Sequence, residues 1–287
     1  MTAPLDPPDL DPRLTPATTR AAAVELEGIV DSARYVRGQW RAVRQPLVNL
    51  CDAPRGPRAS QLLYGERFRV IDERDGYAFG QAERDGYCGW VLGGALGRDE
   101  QATHWVAAPA THLYPKAEVK APPEVALFML SHVRVTGQAG DFLRLSSGHF
   151  VPASHLQPMR ARFADPVGVA DMLLGTPYLW GGSSRWGIDC SGLVQAALIA
   201  CGAACPRDSD QQRGIGEPVE GPPERGDLVL WEGHVGLMGD GGMLLHANAH
   251  HMAVAYEPFD AAVARIQAKG GAGIGSGEVL AVRRVAV

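Results

Sequence analysis

The sequence predicts a C-terminal α+β domain preceded by two small all-β units. Three observations lead there. Residues 159–202 carry apolar positions at helical spacing closed by glycines, whereas the chain after residue 225 turns to short apolar runs of strand length. Residues 40–100 contain such short runs, separated by Asp-Gly and Gly-Arg turns. The same plan returns more weakly over residues 104–158.

The bulk properties set limits on partners. A chain of 287 residues can form more than one domain, and 46% hydrophobic with 21% charged residues is ordinary globular composition. The formal net charge is −5 and no Lys/Arg cluster recurs, which argues against a nucleic-acid partner. No apolar run approaches the roughly 18 residues of a membrane span. The start Met1-Thr-Ala-Pro-Leu-Asp-Pro-Pro8 has neither the basic nor the apolar segment of a signal peptide, so a cytoplasmic protein is expected. The five cysteines, Cys51, Cys88, Cys190, Cys201 and Cys205, are odd in number and scattered, unlike a disulfide framework or a zinc knuckle. No metal or organic cofactor is expected.

In chain order, residues 1–40 form an N-terminal extension, with a short helix over 18–33 suggested by Ala22, Val24, Leu26, Ile29 and Val30. The first β unit occupies 41–103, with strand-like stretches at Leu47–Leu50, Phe68–Ile71, Tyr77–Phe79 and Gly89–Val91. The pairs Asp75-Gly76 and Asp85-Gly86 are turn signals. The second unit, 104–158, places Thr111–Tyr114, Val133–Val135 and Gly148–Val151 at corresponding points. The C-terminal domain, 159–287, opens with Asp165 as cap and Pro166 in the first turn. Val167, Val169, Ala170, Leu173 and Leu174 give that helix its apolar face and Gly175 ends it. A second helix is capped by Asp189, starts at Cys190, buries Leu193, Val194, Ala197, Leu198 and Cys201, and stops at Gly202. Strands follow at Leu228–Trp231, His234–Met238, Met243–Ala247, Ala253–Tyr256 and Val279–Val285.

A cysteine at a helix start lies beside unpaired amides and the positive end of the helix dipole, which favours thiolate. Cys190 has that position, and His234 and His246 follow on strands. A thiol, a base and a group that orients the base are the parts of a cysteine hydrolase. His250 and His251 fall in a turn and are expected to be solvated. The histidines of the β units have no thiol partner. Two histidines and a cysteine are also zinc ligands, but no ligand spacing supports such a site.

Six motifs stand in order: Pro177-Tyr-Leu-Trp-Gly-Gly182, Asp189-Cys-Ser-Gly192, Pro206-Arg-Asp-Ser-Asp-Gln-Gln212, Gly226-Asp-Leu228, His234-Val-Gly236 and Leu245-His-Ala247. Together they resemble the NlpC-type cell-wall cysteine peptidases, which have a papain-like fold. The two β units resemble bacterial SH3-like barrels. The resemblance implies that Cys190 is the nucleophile, His234 the base and His246 the residue orienting it. It also implies the Cys190 amide and Tyr178 as oxyanion donors. One subgroup carries SH3-like domains ahead of the catalytic domain and cleaves the γ-D-glutamyl–diamino acid bond of cell-wall peptides with a free N-terminal L-alanine. The diamino acid is meso-diaminopimelate or lysine. On that likeness Asp208 binds the ammonium, with Asp189, Ser191 and Ser209 at the substrate. Glu66 and Tyr87 of the first β unit would close the pocket. Plainer roles stand beside these: a helix cap for Asp208, a surface strand residue for Glu66, a barrel aromatic for Tyr87. An amidase or endopeptidase acting on polymeric wall, or a wall-peptide binding protein without activity, remains an alternative.

Overall fold

The computed structural model describes residues 10–268 and 277–287, and the chain divides into two units, Met1–Ala102 and Thr103–Val287. In the first, a seven-stranded antiparallel sheet runs in the order Arg58–Leu63, Leu47–Cys51, Cys88–Leu92, Tyr77–Ala82, Arg67–Arg74, Gln39–Val43, Leu96–Arg98. Period-two alternation builds its core: Val48 and Leu50 point inward with Asn49 exposed between them, and they meet Val43, Leu62, Phe68, Tyr87 and Val91. Asp75-Gly76 joins Arg74 to Tyr77, and both turn residues have positive φ, as a two-residue hairpin turn demands. Gly80 is required for a different reason. A Cβ there would meet the Arg69 carbonyl oxygen at 2.1 Å.

The short helix expected over 18–33 does not form. Ala22–Ala23 is a strand paired in parallel with Tyr35–Val36, and Val24–Leu26 is a single 3₁₀ turn. Ala21 and Ala23 pack on Ile71, Phe79 and Trp90 at the outer face of the sheet. Val24 and Ile29, counted toward a helical stripe, are 41% and 43% exposed. Burial of the small alanines against the sheet outweighs a helical pattern too short to sustain its own nucleus.

The second unit begins with three small sheets. His104–Val106 pairs with His132–Val133 and Leu156–Pro158; Ala110–Leu113 pairs with Val125–Phe128; Val135–Ala139, Phe142–Leu145 and Phe150–Pro152 form the third. Its closing elements repeat those of the first unit: strand, 3₁₀ turn, strand, at Cys88–Leu92, Gly93–Ala95, Leu96–Arg98 and again at Phe150–Pro152, Ala153–His155, Leu156–Pro158. Trp105 meets Phe163 edge-on at 5.7 Å, and Phe128 meets Trp186 at 5.0 Å, tying this part to the residues that follow.

Among the described residues, those that follow form four helices and a six-stranded antiparallel sheet. Helix α1 (Pro166–Asp171) is capped by the Asp165 side chain on the Val167 amide, though Leu174, expected on its apolar face, is 44% exposed. Helix α2 (Cys190–Ala200) is buried along most of its length, including Leu193, Val194, Ala197 and Leu198. A helix apolar on nearly every side belongs inside a domain. The sheet order is Glu217–Pro218, Ala281–Arg284, Leu228–Trp231, His234–Met238, Met243–Asn248, Ala253–Pro258. Between α2 and the sheet lies the four-residue α3 (Ser209–Gln212). The sequence reading did not foresee α4 (Phe259–Ala268), which packs Ala262 and Ile266 on Val229, Trp231, Met238 and Leu244. Among the described residues, no helix is long and apolar enough to cross a membrane.

Candidate active site

Helix α2 delivers Cys190 at its first position because the Asp189 carboxylate caps it, accepting from the Gly192 amide at 2.7 Å. The Val235 and Ser191 amides lie close enough to the Cys190 sulfur to favour its ionised form. Val235 follows His234 on its strand, so the sulfur lies by the strand that carries the histidine. His234 Nε2 lies 2.9 Å from His246 Nδ1 on the neighbouring strand, and the rings are 5.2 Å apart between centroids. His234 is thus engaged with His246 through Nε2. His246 Nε2 in turn lies 3.2 Å from Glu257 Oε2. Arg265 of α4 grips that carboxylate with Nε on Oε1 at 2.9 Å and Nη2 on Oε2 at 2.6 Å.

The electrostatics differ from the sequence expectation at the nucleophile. A helix-start thiol was expected to favour thiolate, but the Cys190 thiol is pushed up to about 12. Burial is the main cause and the neighbouring Asp189 charge the next. The two amides and Arg207 work in the opposite direction without overcoming it. Burial, followed by His246 and Arg265, lowers His234 to about 3. Burial lowers His246 to about 4 against the pull of Glu257. Burial thus disfavours the charged form of both Cys190 and His234. Glu257 is held down to about 2, first by its hydrogen bond from Arg265.

A second buried network supports the turn ahead of Cys190. The fully buried Arg207 donates to Asp189 Oδ2 at 2.8 Å, to Ser191 Oγ at 2.9 Å and to the Gly182 carbonyl at 3.2 Å. Asp189 Oδ2 also accepts from the Gly181 amide at 2.8 Å. Gln212 Nε2 donates to the Ser191 and Pro206 carbonyls at 3.0 and 2.9 Å. Asp189 and Ser191 thus direct their side chains into the protein. Asp208 caps α3 in a reciprocal capping box with Gln211, and Ser209 is that helix's first residue; both are half-buried. Tyr178 is partly buried close enough to Cys190 that burial, then the Cys190 and Asp189 charges, raise its phenol. In the first unit, Tyr87 lies in the core. Glu66 is not the surface strand residue of the plainer reading. It is buried in a turn, paired with Arg84 at 2.7 Å and accepting from the Leu63 amide at 2.8 Å.

His250 and His251 are exposed, with His251 Nδ1 3.0 Å from Asn248 Oδ1. Donor atoms of His246, His251 and Glu257 lie within 4.8 Å of one another, the one metal-capable cluster among the described residues. The Arg265 guanidinium already occupies both Glu257 oxygens and opposes a cation there.

Sequence reasoning missed Arg207, Gln212, Glu257 and Arg265. The first two sit inside a quoted motif, where a run of polar residues hid two buried ones. Glu257 follows from strand register: His246 pairs with Ala255 and Leu244 with Glu257, so the acid is the diagonal neighbour of His246 on the same face.

Comparison with known proteins agrees with this geometry. Residues 175–266 match the NlpC/P60 family and residues 50–96 the bacterial dipeptidyl-peptidase SH3 domain. The γ-D-glutamyl-L-lysine dipeptidyl-peptidase of Bacillus subtilis (strain 168) is 29% identical over 215 residues, 66% of this chain and 71% of that protein. Dipeptidyl-peptidase 6 of Lysinibacillus sphaericus is 36% identical over 115 residues, 39% of this chain and 42% of its own length. The crystal structure of an NlpC/P60 family protein from Bacillus cereus ATCC 10987 superposes with a TM-score of 0.71 at 18% identity, covering 86% of this chain and 99% of that one. At that identity the likeness is one of fold.

Proposed function

The C-terminal domain is an NlpC/P60 cysteine peptidase domain, and from that premise we propose that the chain hydrolyses the γ-D-glutamyl–diamino acid bond of peptidoglycan stem peptides bearing a free N-terminal L-alanine. The observation that carries this reading is the Cys190 sulfur near the Val235 amide, next in the chain to His234, with His246 on Nε2 of that histidine. The names of the relatives, which specify γ-D-glutamyl-L-lysine or dipeptidyl peptidase activity, support the choice of bond.

As Sγ attacks the γ-carbonyl carbon, its proton passes to His234 Nδ1. The tetrahedral oxyanion takes hydrogen bonds from the Cys190 amide and the Tyr178 hydroxyl. The C–N bond then breaks, and His234 returns the proton to the departing amine of the diamino acid. Water, deprotonated by His234, attacks the thioester and releases L-alanyl-γ-D-glutamate. Asp208 offers the charge that a buried ammonium needs. The β unit at 104–158 is a second SH3-like module. A free amine on the substrate suits recycling of released wall peptides in the cytoplasm.

The test is mass spectrometry of products from L-Ala-γ-D-Glu-meso-diaminopimelate and its lysine counterpart, each beside an N-acetylated copy. Cleavage of the free peptides alone, abolished in Cys190→Ala, is expected. Equal cleavage of the acetylated copies would remove the role given to Asp208. Cleavage of intact wall alone would replace the recycling reading with one of wall remodelling.

A further inference from the structure

Glu257 and Arg265 stand behind the catalytic histidines and take no part in the reaction as written. Their geometry nevertheless fixes where protons sit. An ionised carboxylate accepts hydrogen bonds and cannot donate. The proton between His246 Nε2 and Glu257 Oε2, 3.2 Å apart, therefore belongs to the imidazole. A neutral imidazole carries one N–H, which leaves His246 Nδ1 as an acceptor. The 2.9 Å contact to His234 must then be donated by His234 Nε2. One N–H on His234 leaves its Nδ1 with a free lone pair, on the nitrogen available to the Cys190 thiol.

We propose that Glu257 is a positioning residue whose carboxylate, held ionised by Arg265, sets the tautomer of His246 and through it the tautomer of the base His234. The proposal rests on the cysteine peptidase reading of Cys190 and His234. Arg265 contributes by donating to both oxygens, so the carboxylate stays an acceptor wherever the His246 proton points. Both rings are buried, so solvent does not impose the tautomer. Remove the acceptor, and the pair can settle with both protons on Nδ1. The thiol would then face an N–H and have no base. This is the loss a catalytic triad suffers when its orienting acid becomes an amide.

The experiment uses the full chain with ¹⁵N-labelled histidine and long-range ¹H–¹⁵N correlation spectra at neutral pH. They are read beside the rate of iodoacetamide alkylation at Cys190 and the steady-state constants. In the native protein, His234 and His246 are both expected as Nε2–H tautomers. In Glu257→Gln, Arg265 holds the amide oxygen and the NH₂ faces His246 Nε2, so both rings are expected to switch to Nδ1–H. Alkylation and kcat are expected to fall roughly 10²–10⁴-fold with KM nearly unchanged. An Nδ1–H tautomer of either ring in the native protein overturns the proposal. So does a Glu257→Gln protein with native tautomers and native alkylation rate. If that variant does not fold, the native spectrum alone decides. If the native protein shows the expected tautomers and alkylation but cleaves none of the peptides, the substrate reading fails while the relay stands.

Discussion

Each unit buries a glutamate against an arginine, and the two carboxyls are shifted in opposite directions. Glu66 in the first unit is 4% exposed and Glu257 in the second is 8% exposed. Burial pushes the Glu66 carboxyl up, against the pull of Arg84, while Glu257 is held at about 2. The donors differ as well. Glu66 receives Arg84 on one oxygen and the Leu63 amide on the other, and Arg84 divides its charge with Asp85, 3.3 Å away. Glu257 receives Arg265 on both oxygens and His246 on one. At Glu66 burial outweighs the donors, whereas at Glu257 the hydrogen bond from Arg265 outweighs burial. The first pair closes a turn in a small β unit; the second keeps an acceptor ready behind a catalytic base.

Truncating both acids gives the widest separation. Glu66→Ala removes one partner of Arg84, whose side chain is 9% exposed, and leaves it Asp85 and the Gln61 carbonyl. The expected loss is about 3 kcal/mol in the first unit. Glu257→Ala leaves a more exposed arginine, with a side chain 18% exposed, and is expected to cost about 1–3 kcal/mol. Its main effect falls on kcat, by roughly 100-fold or more. Urea unfolding read by hydrogen exchange in each unit, beside steady-state kinetics, checks both. A larger stability loss from Glu257→Ala than from Glu66→Ala would break the comparison.

The same contrast explains what the sequence could reveal. Strand and helix periods located Leu228–Trp231, His234–Met238 and the Cys190 helix, because a buried element shows its period in its own residues. Ordered motifs then singled out Cys190, His234 and His246. Glu257 was invisible because its role depends on which strand pairs with which, and Arg265 because its helix shows only Ala262 and Ile266 as buried positions. The thiolate expected at Cys190 failed for a related reason. A helix start is legible in sequence, whereas the depth of the sulfur and the nearness of Asp189 come from the assembled domain. The expected helix at 18–33 shows the converse, a local pattern overruled by packing on Phe79 and Trp90.

Acid separates the two sites next. His234 and His246 are lowered to about 3 and about 4 by burial, so between about pH 6.5 and 4 the unfolded chain holds more protons than the folded one. Their contribution to stability is complete above pH 6.5 and is lost as pH falls through the folded values. Glu257, lowered to about 2, loses its contribution in the same direction, further into acid. Glu66 is raised, so the sign reverses. Its contribution is complete below about 4.5, the unfolded range, and is lost as pH rises through the folded value. Hydrogen exchange from pH 7 to 5 is expected to show the catalytic unit weakening. Over the same range the native first unit is expected to gain relative to Glu66→Gln. Parallel losses in both would show that the paired arginine dominates at Glu66 as it does at Glu257.

The smallest effect expected concerns a third acid that shares features of both. Asp208 is half-buried like a surface acid yet committed to the capping box of α3. Asp208→Ala is expected to cost about 1 kcal/mol through the cap alone. Asp208→Asn separates shape from charge: asparagine caps a helix as well as aspartate but offers no anion. Stability should therefore stay close to native in the Asp208→Asn variant, while KM for the free-amine peptide rises. If that KM stays unchanged, Asp208 is a cap alone, and the charge that receives the ammonium must be sought on another residue.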